Sequence, residues 1–214
     1  MAFAHWRSDM KSLVLRSIVL VVCGVTLGLA VGYKLALLRE HQRVQHNKEL
    51  VRIMEDKVFS EKNVDAAMKV ARAIYTNDFT VHDWLGDHRG MDALAEGLRY
   101  TQADFLDWKE RPVSIVAEGD YVAARLISGG TQARDLEAAP HVSPAIPNKH
   151  RPLLLPVMTI FRVADGKLAE QWVTLDGWDA SIQLGQFDPD HWKESVCGKM
   201  ENQQRSRHPK PWST

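Results

Sequence analysis

The run Leu168–Asp176 is the part of the sequence whose spacing most directly offers chemistry. Side chains alternate faces along a strand, so Glu170, Trp172, Thr174 and Asp176 share one face and Gln171, Val173 and Leu175 the other. Two carboxylates and an indole make a poor core face, and that face suits either a pocket or solvent. A carboxylate in a mostly apolar pocket is disfavoured as an anion. Its pKa then rises towards the range useful for proton transfer. Asp176 also precedes Gly177, so capping a turn is an equally good reading of it. His82 and Trp84 share a face by the same parity, and a histidine beside a pocket shuttles protons near neutral pH. A structural histidine at a domain edge is the alternative. His82 and His88 lie six apart with no third ligand nearby, so no metal is expected. No phosphate-cradling glycine loop, dinucleotide fingerprint or nucleophile elbow occurs, and no cofactor is expected.

The elements that must position these residues are expected mostly after residue 60. Asn63 or Asp65 can cap a helix in which Val64, Ala67, Met68, Ala71, Ile74 and Tyr75 follow at helical spacing. Phe79–Trp84 is a short strand candidate, and Gly90-Met91-Asp92 opens a second helix. Beyond Pro112 the period becomes two. Val113–Ala117 and Tyr121–Ile127 flank a Glu118-Gly119-Asp120 turn, and Leu153–Val163 and Leu168–Asp176 flank Ala164–Lys167. Residues 129–152, with Gly129-Gly130 and four prolines, are expected to be a loop on a pocket rim. The pattern predicts an α+β domain: a curved antiparallel sheet with helices over its concave face.

Before this body, Ser17–Tyr33 is a charge-free run of 17 residues bracketed by Arg16 and Lys34. If both snorkel, Leu13–Leu38 is long enough for a transmembrane helix or signal anchor, with a cleaved signal peptide as the rival. The expected organisation is a basic tail (1–12), an anchor (13–38), a helical stalk (39–59), the α+β body (60–190) and a basic irregular tail (191–214). A single-pass membrane protein with its body outside the cytoplasm is the expectation. In the stalk, Val44, Val51 and Val58 recur every seven, with His41, Lys48 and Glu55 at the alternate positions, as in a solvated linker helix.

Charge and cysteine content narrow the function classes. The 214 residues carry 27 basic and 27 acidic groups. Residues 53–190 hold 14 basic against 22 acidic ones, between two basic ends. That acidic body is the wrong sign for a nucleic-acid surface. Two cysteines, one inside the apolar run, exclude a disulfide framework.

Several phrases resemble the SnoaL-like polyketide cyclase family, within the nuclear transport factor 2-like cone fold. They are Val81-His82-Asp83, Val116–Arg125, Phe161–Trp172, and Asp176 followed by Gln183-Leu184-Gly185. The resemblance spans roughly 60–185. It implies that Asp176 is the general acid/base, with His82 as a partner. It implies that Trp84, Tyr121, Glu170 and Trp172 line a cone pocket for a small apolar molecule, and that the open sheet pairs into a homodimer. Gly130-Thr131 is followed by Gln132-Ala133 instead of the family's His-containing phrase, and Gln171 stands where a histidine is common. Two functions follow as expectations. One is a cofactor-independent acid–base enzyme (cyclase, isomerase, dehydratase or hydrolase) on an apolar or polyketide-like substrate. The other is a non-catalytic ligand-binding or protein-assembly domain.

Overall fold

The computed structural model describes residues 2–138 and 145–187, with side chains described at Leu20 and from Cys23 onward. The expected basic tail at 191–214 lies outside the described residues. The chain divides into two units, residues 1–46 and 47–214.

The first unit is helical, part of helix α1 (Ala2–Met54). Among the described residues, no helix is long and apolar enough to cross a membrane. This overturns the expected transmembrane anchor at 13–38, and with it the single-pass, extracytoplasmic placement of the body. The physical reason is length. About 20 apolar residues are needed to cross ~30 Å at 1.5 Å per residue. The charge-free run has 17, and the longer count depended on admitting Arg16 and Lys34.

The second unit begins within the last turns of α1. Leu50, Val51 and Met54 are buried there, as is Val58 in the π-turn Glu55–Phe59 that follows. This stretch is therefore core of the α+β unit and not a solvated linker. Asn47 joins it to the sheet, its Nδ2 donating to Gly119 O at 3.0 Å. Helix α2 (Val64–Ile74) is capped by Asn63, whose side chain accepts from the Ala66 amide. Its Ala67, Met68, Ala71 and Ile74 are buried on one stripe. Helix α3 (Gly90–Asp104) buries Leu94, Ala95 and Leu98.

These helices cover one face of a six-stranded sheet. Its strands are β1 (Tyr75–Asp83), β2 (Gly86–Arg89), β3 (Phe105–Glu118), β4 (Tyr121–Gln132), β5 (Pro152–Ala164) and β6 (Lys167–Leu175), in the order β2-β1-β6-β5-β4-β3. Alternation along β4 and β5 is strict: Val122, Ala124 and Leu126 oppose Phe161, Thr159 and Val157 on the covered face. A short helix, α4 (Gly177–Gln183), follows β6.

The sheet is mixed and not wholly antiparallel, because β1 pairs with β6 in parallel. β1 and β6 come from opposite ends of the fold, so no tight turn constrains their direction. A second difference concerns Gly129-Gly130, which lie inside β4 and not in a loop. A Cβ on Gly129 would stand 2.3 Å from Leu153 O, and one on Gly130 2.7 Å from Leu106 O. The glycines admit neighbouring strands where the sheet bends, with register shifts on β3 between Leu106 and Lys109 and between Pro112 and Ser114. The described ends of the connection between β4 and β5 are also held. Leu136 bridges Ile146, and the buried Gln132 donates to Pro147 O at 3.2 Å.

Candidate functional site

The parity of β6 is as the spacing requires, and the helices cover the opposite face from the one carrying the carboxylates. Gln171 is buried, with its Nε2 donating to the buried Thr159 Oγ1 at 3.2 Å, while Trp172 and Thr174 are exposed. A register slip of one residue exchanges faces, and periodicity does not say which face is covered. Between Leu168 and Gln171, both buried, the inward parity changes; β5 shows a register shift at Arg162/Val163 there.

On the open face the structure brings three of the expected site residues together. His82 Nδ1 lies 2.7 Å from Asp87 Oδ1, and its Nε2 lies 3.0 Å from Glu170 Oε1. Arg162 Nε donates to Glu170 Oε2 at 2.8 Å, and the His82 ring stacks on Trp172 at 5.4 Å. Both histidine partners are acceptors when ionised, so this geometry needs a proton on each ring nitrogen. The bond to Asp87, then that to Glu170, raises the pKa of His82 above its ordinary 6.5. Arg162, then His82, lowers that of Glu170. A raised folded pKa means stability present below the unfolded value and lost as pH rises through the folded one. Replacing His82 by Gln should therefore cost most below pH 6.5 and progressively less above it. Urea unfolding of both proteins from pH 5.5 to 9 checks this; a cost that does not vary with pH would mean a neutral His82.

The remaining expected residues do not join this group. Trp84 and Tyr121 are about half exposed, Trp84 in the β1–β2 turn and Tyr121 across from Arg162. Asp176 is exposed and caps α4: its Oδ1 accepts from the amides of Trp178 at 3.1 Å and Asp179 at 3.0 Å. Among the described residues, no three of His, Cys, Asp or Glu are placed to hold a metal.

A different carboxyl cluster lies under the sheet's covered face. The π-turn closes with Ser60 N donating to Glu55 O. Ser60 clips the turn to β3. Its Oγ accepts from Glu110 N at 3.0 Å and donates to Glu110 O at 3.2 Å, while Lys109 Nζ donates to Ser60 O at 2.8 Å. A π-turn inserts an extra residue and redirects the side chains at its start, a device common at functional sites. Here it sets the fully buried Glu55 against Glu110. Burial first, then the charge of Glu110, pushes the pKa of Glu55 up to about 11. Burial raises Glu110 as well, opposed by contacts with Glu55, Trp108 and Ser128. Trp108 Nε1 donates to Glu110 Oε1 at 3.2 Å. Tyr75, 1% exposed, feels both carboxyls, and its pKa is pushed up mainly by burial. At neutral pH Glu55 is a neutral acid beside a group that can ionise, the arrangement that separates acid from base in one site.

The sequence reading placed Glu55 in a solvated linker helix and Tyr75 on a helix stripe, and assigned Glu110 no role, though one signal was present. Glu55 stands four after Val51 and three before Val58, on their stripe. An acid on an apolar stripe is either a solvated interruption or a buried functional group.

Residues 51–171 match the SnoaL-like domain family. The chain belongs to that family. Its fold is shared with solved structures of low identity. The proposed SnoaL-like polyketide cyclase of Jannaschia sp. CCS1 is 18% identical, with a TM-score of 0.56 over 68% of this chain and 95% of its own. TsrD of Streptomyces laurentii is 19% identical, with a TM-score of 0.56 over 67% and 97%. Wild-type IdmH of Streptomyces antibioticus, a proposed polyketide cyclase, is 23% identical, with a TM-score of 0.54 over 65% and 98%. At these identities the likeness is one of fold. No curated protein matches the sequence. In this SnoaL-like domain the covered face of the sheet holds the buried Glu55 and Tyr75 beside the half-buried Glu110, while the expected Asp176 caps α4 at the surface.

Proposed function

We propose that this SnoaL-like domain is a cofactor-independent acid–base catalyst for a small, mostly apolar carbonyl compound, and that Glu110 and Glu55 move the proton. The observation that carries this reading is the carboxyl pair, in which the fully buried Glu55 is held neutral by burial and by its half-buried neighbour Glu110. Glu110 as carboxylate takes a proton from a carbon next to a carbonyl. The C–H bond breaks, and its electron pair passes to the carbonyl oxygen as an enolate. The proton then returns to the same carbon or to a conjugated one. Two structures of similar fold bear the name polyketide cyclase, so ketones with activated C–H bonds are the first class to test. The alternative, a binding domain without turnover, is favoured by the dense filling beneath the sheet, where Met54, Val58, Phe79 and Phe161 are at most 1% exposed.

Deuterium exchange at the α-carbons of a panel of aryl ketones and cyclic enones, followed by NMR, tests the proposal. The protein should accelerate exchange of at least one class. Glu110→Gln should remove ~10²–10⁴-fold of that acceleration, the usual share of a positioned proton-transfer group. Asp176→Asn, a change in an exposed cap, should leave it intact. Exchange no faster than in buffer, or lost with Asp176 and not with Glu110, would sink the reading. Binding without exchange would transfer support to the binding domain.

A further inference from the structure

Helix α3 buries Leu94 and Leu98 against the core and exposes Asp92, Glu96, Arg99 and Tyr100 on its outer side. A groove of about 590 Å³ lies beside those outer residues, with Ala95 in its lining and Arg134, from the connection after β4, completing it. That volume falls within the ~300–1,000 Å³ typical of small-molecule sites. An alanine at a lining position leaves room that a longer side chain would fill. None of the lining residues belongs to the carboxyl cluster around Glu55 and Glu110.

Arg134 is a fixed part of this groove. Its Nε donates to Asp104 Oδ1 at 2.7 Å, and the adjacent Ala133 N donates to Asp104 O at 2.8 Å. Asn148 Nδ2 in turn donates to Ala133 O at 2.9 Å. With one edge of the guanidinium anchored, most of its N–H donors stay available to a ligand. Tyr100 stands close enough to act on Arg134 electrostatically, so ring and guanidinium share one end of the groove.

The other charges of the groove are unspent. Twice on α1 a glutamate and an arginine three residues later close an ion pair, Glu40 with Arg43 at 2.8 Å and Glu49 with Arg52 at 3.3 Å. Glu96 and Arg99 have the same spacing on α3 and close none. Among the described residues, neither they nor Asp92 has a hydrogen-bond or ion-pair partner. An exposed pair gains little by closing, so this open arrangement is cheap to keep. It leaves the groove divided by sign. Asp92 and Glu96 stand nearer the start of α3, and Arg99 and Arg134 nearer its end. Along the axis Glu96 precedes Arg99 by ~4.5 Å and Asp92 precedes it by ~10 Å, at 1.5 Å per residue.

We infer that this groove binds a small zwitterion, an ammonium and a carboxylate joined by a short apolar spacer. The carboxylate sits on Arg99 and Arg134. The ammonium sits on Glu96, with Asp92 beyond it, and the spacer lies against Ala95 and the Tyr100 ring. The two acids and two bases of the lining balance, so a neutral zwitterion meets an opposite charge at each end. A plain anion or cation meets a like charge at one of them.

Amide NMR shifts of the whole protein, titrated with ε-aminohexanoate, hexanoate and hexylamine, test this. Shifts should centre on α3 and Arg134. The zwitterion should bind about fivefold more tightly than either singly charged probe, the upper end for an exposed ion pair, and should weaken as salt is raised. Arg99→Gln should bring ε-aminohexanoate down to the affinity of hexylamine, and Glu96→Gln down to that of hexanoate. Both are exposed helix positions, so both variants should fold. A zwitterion bound no better than its singly charged halves, an advantage that survives both substitutions, shifts centred away from α3, or no shift with any probe would overturn the site.

Discussion

Glu55→Gln should make the protein more stable, by an amount that grows with pH. Glu55 is fully buried, and its pKa rises from 4.5 when unfolded to about 11 when folded. Between those values the folded chain holds a proton that the unfolded chain has released. Stability is then fully present below the unfolded value and falls as pH rises, by about 1.4 kcal/mol per unit for one proton. Glutamine keeps the shape, does not titrate, and can donate its amide to Glu110. The difference between the two proteins should be small near pH 4 and reach about 4 kcal/mol between pH 5 and 8. Urea unfolding at a series of pH values measures it. Parallel pH profiles would mean that Glu55 is ionised in the fold, and the acid of the proposed pair would be lost. A stabilising substitution at a buried acid is also what a site kept at the expense of stability predicts.

Gly129→Ala should destabilise strongly, and this separates the strand reading of Gly129-Gly130 from the loop reading. The new methyl would sit 2.3 Å from Leu153 O and 3.2 Å from Leu154 Cα. Both are backbone atoms of β5, held in register with β4, so neither can swing aside as a side chain would. Forcing strands apart in a packed sheet costs typically about 1–3 kcal/mol, and more where backbone must move. In an exposed loop the same change would fall within about 0.5 kcal/mol of zero. A drop in the unfolding midpoint of several degrees is the expected result. An unchanged midpoint would place the glycines outside the sheet.

Particular residues show how far the sequence reached. Asn63 was legible as a helix cap, because a side-chain acceptor before an apolar stripe has few other uses. The hairpins at Gly119-Asp120 and Asp165-Gly166 were legible because glycine turn signals interrupt period-two runs. The α+β class and the likeness to SnoaL-like domains followed from those elements and phrases. β2 carries Gly, Asp, His and Arg, with no apolar alternation to reveal it. β3 continues through Pro112, which reads as a breaker but is tolerated on an edge strand beside a register shift.

What the sequence determined by itself is local: where α2, α3 and the two hairpins form, which side chains share a face, and that one face of β6 carries Glu170, Trp172 and Thr174. Which face the helices cover was decided only in three dimensions. Burial is a property of the whole packing, and it turned Gln171 and Val173 towards the core and left Trp172 and Asp176 in solvent. The carboxyl pair is of the same kind. Glu55 and Glu110 are far apart in the chain, and each reads locally as an ordinary charged residue. Only the π-turn, the Ser60 clip and the curl of the sheet bring them together, with Glu55 fully buried.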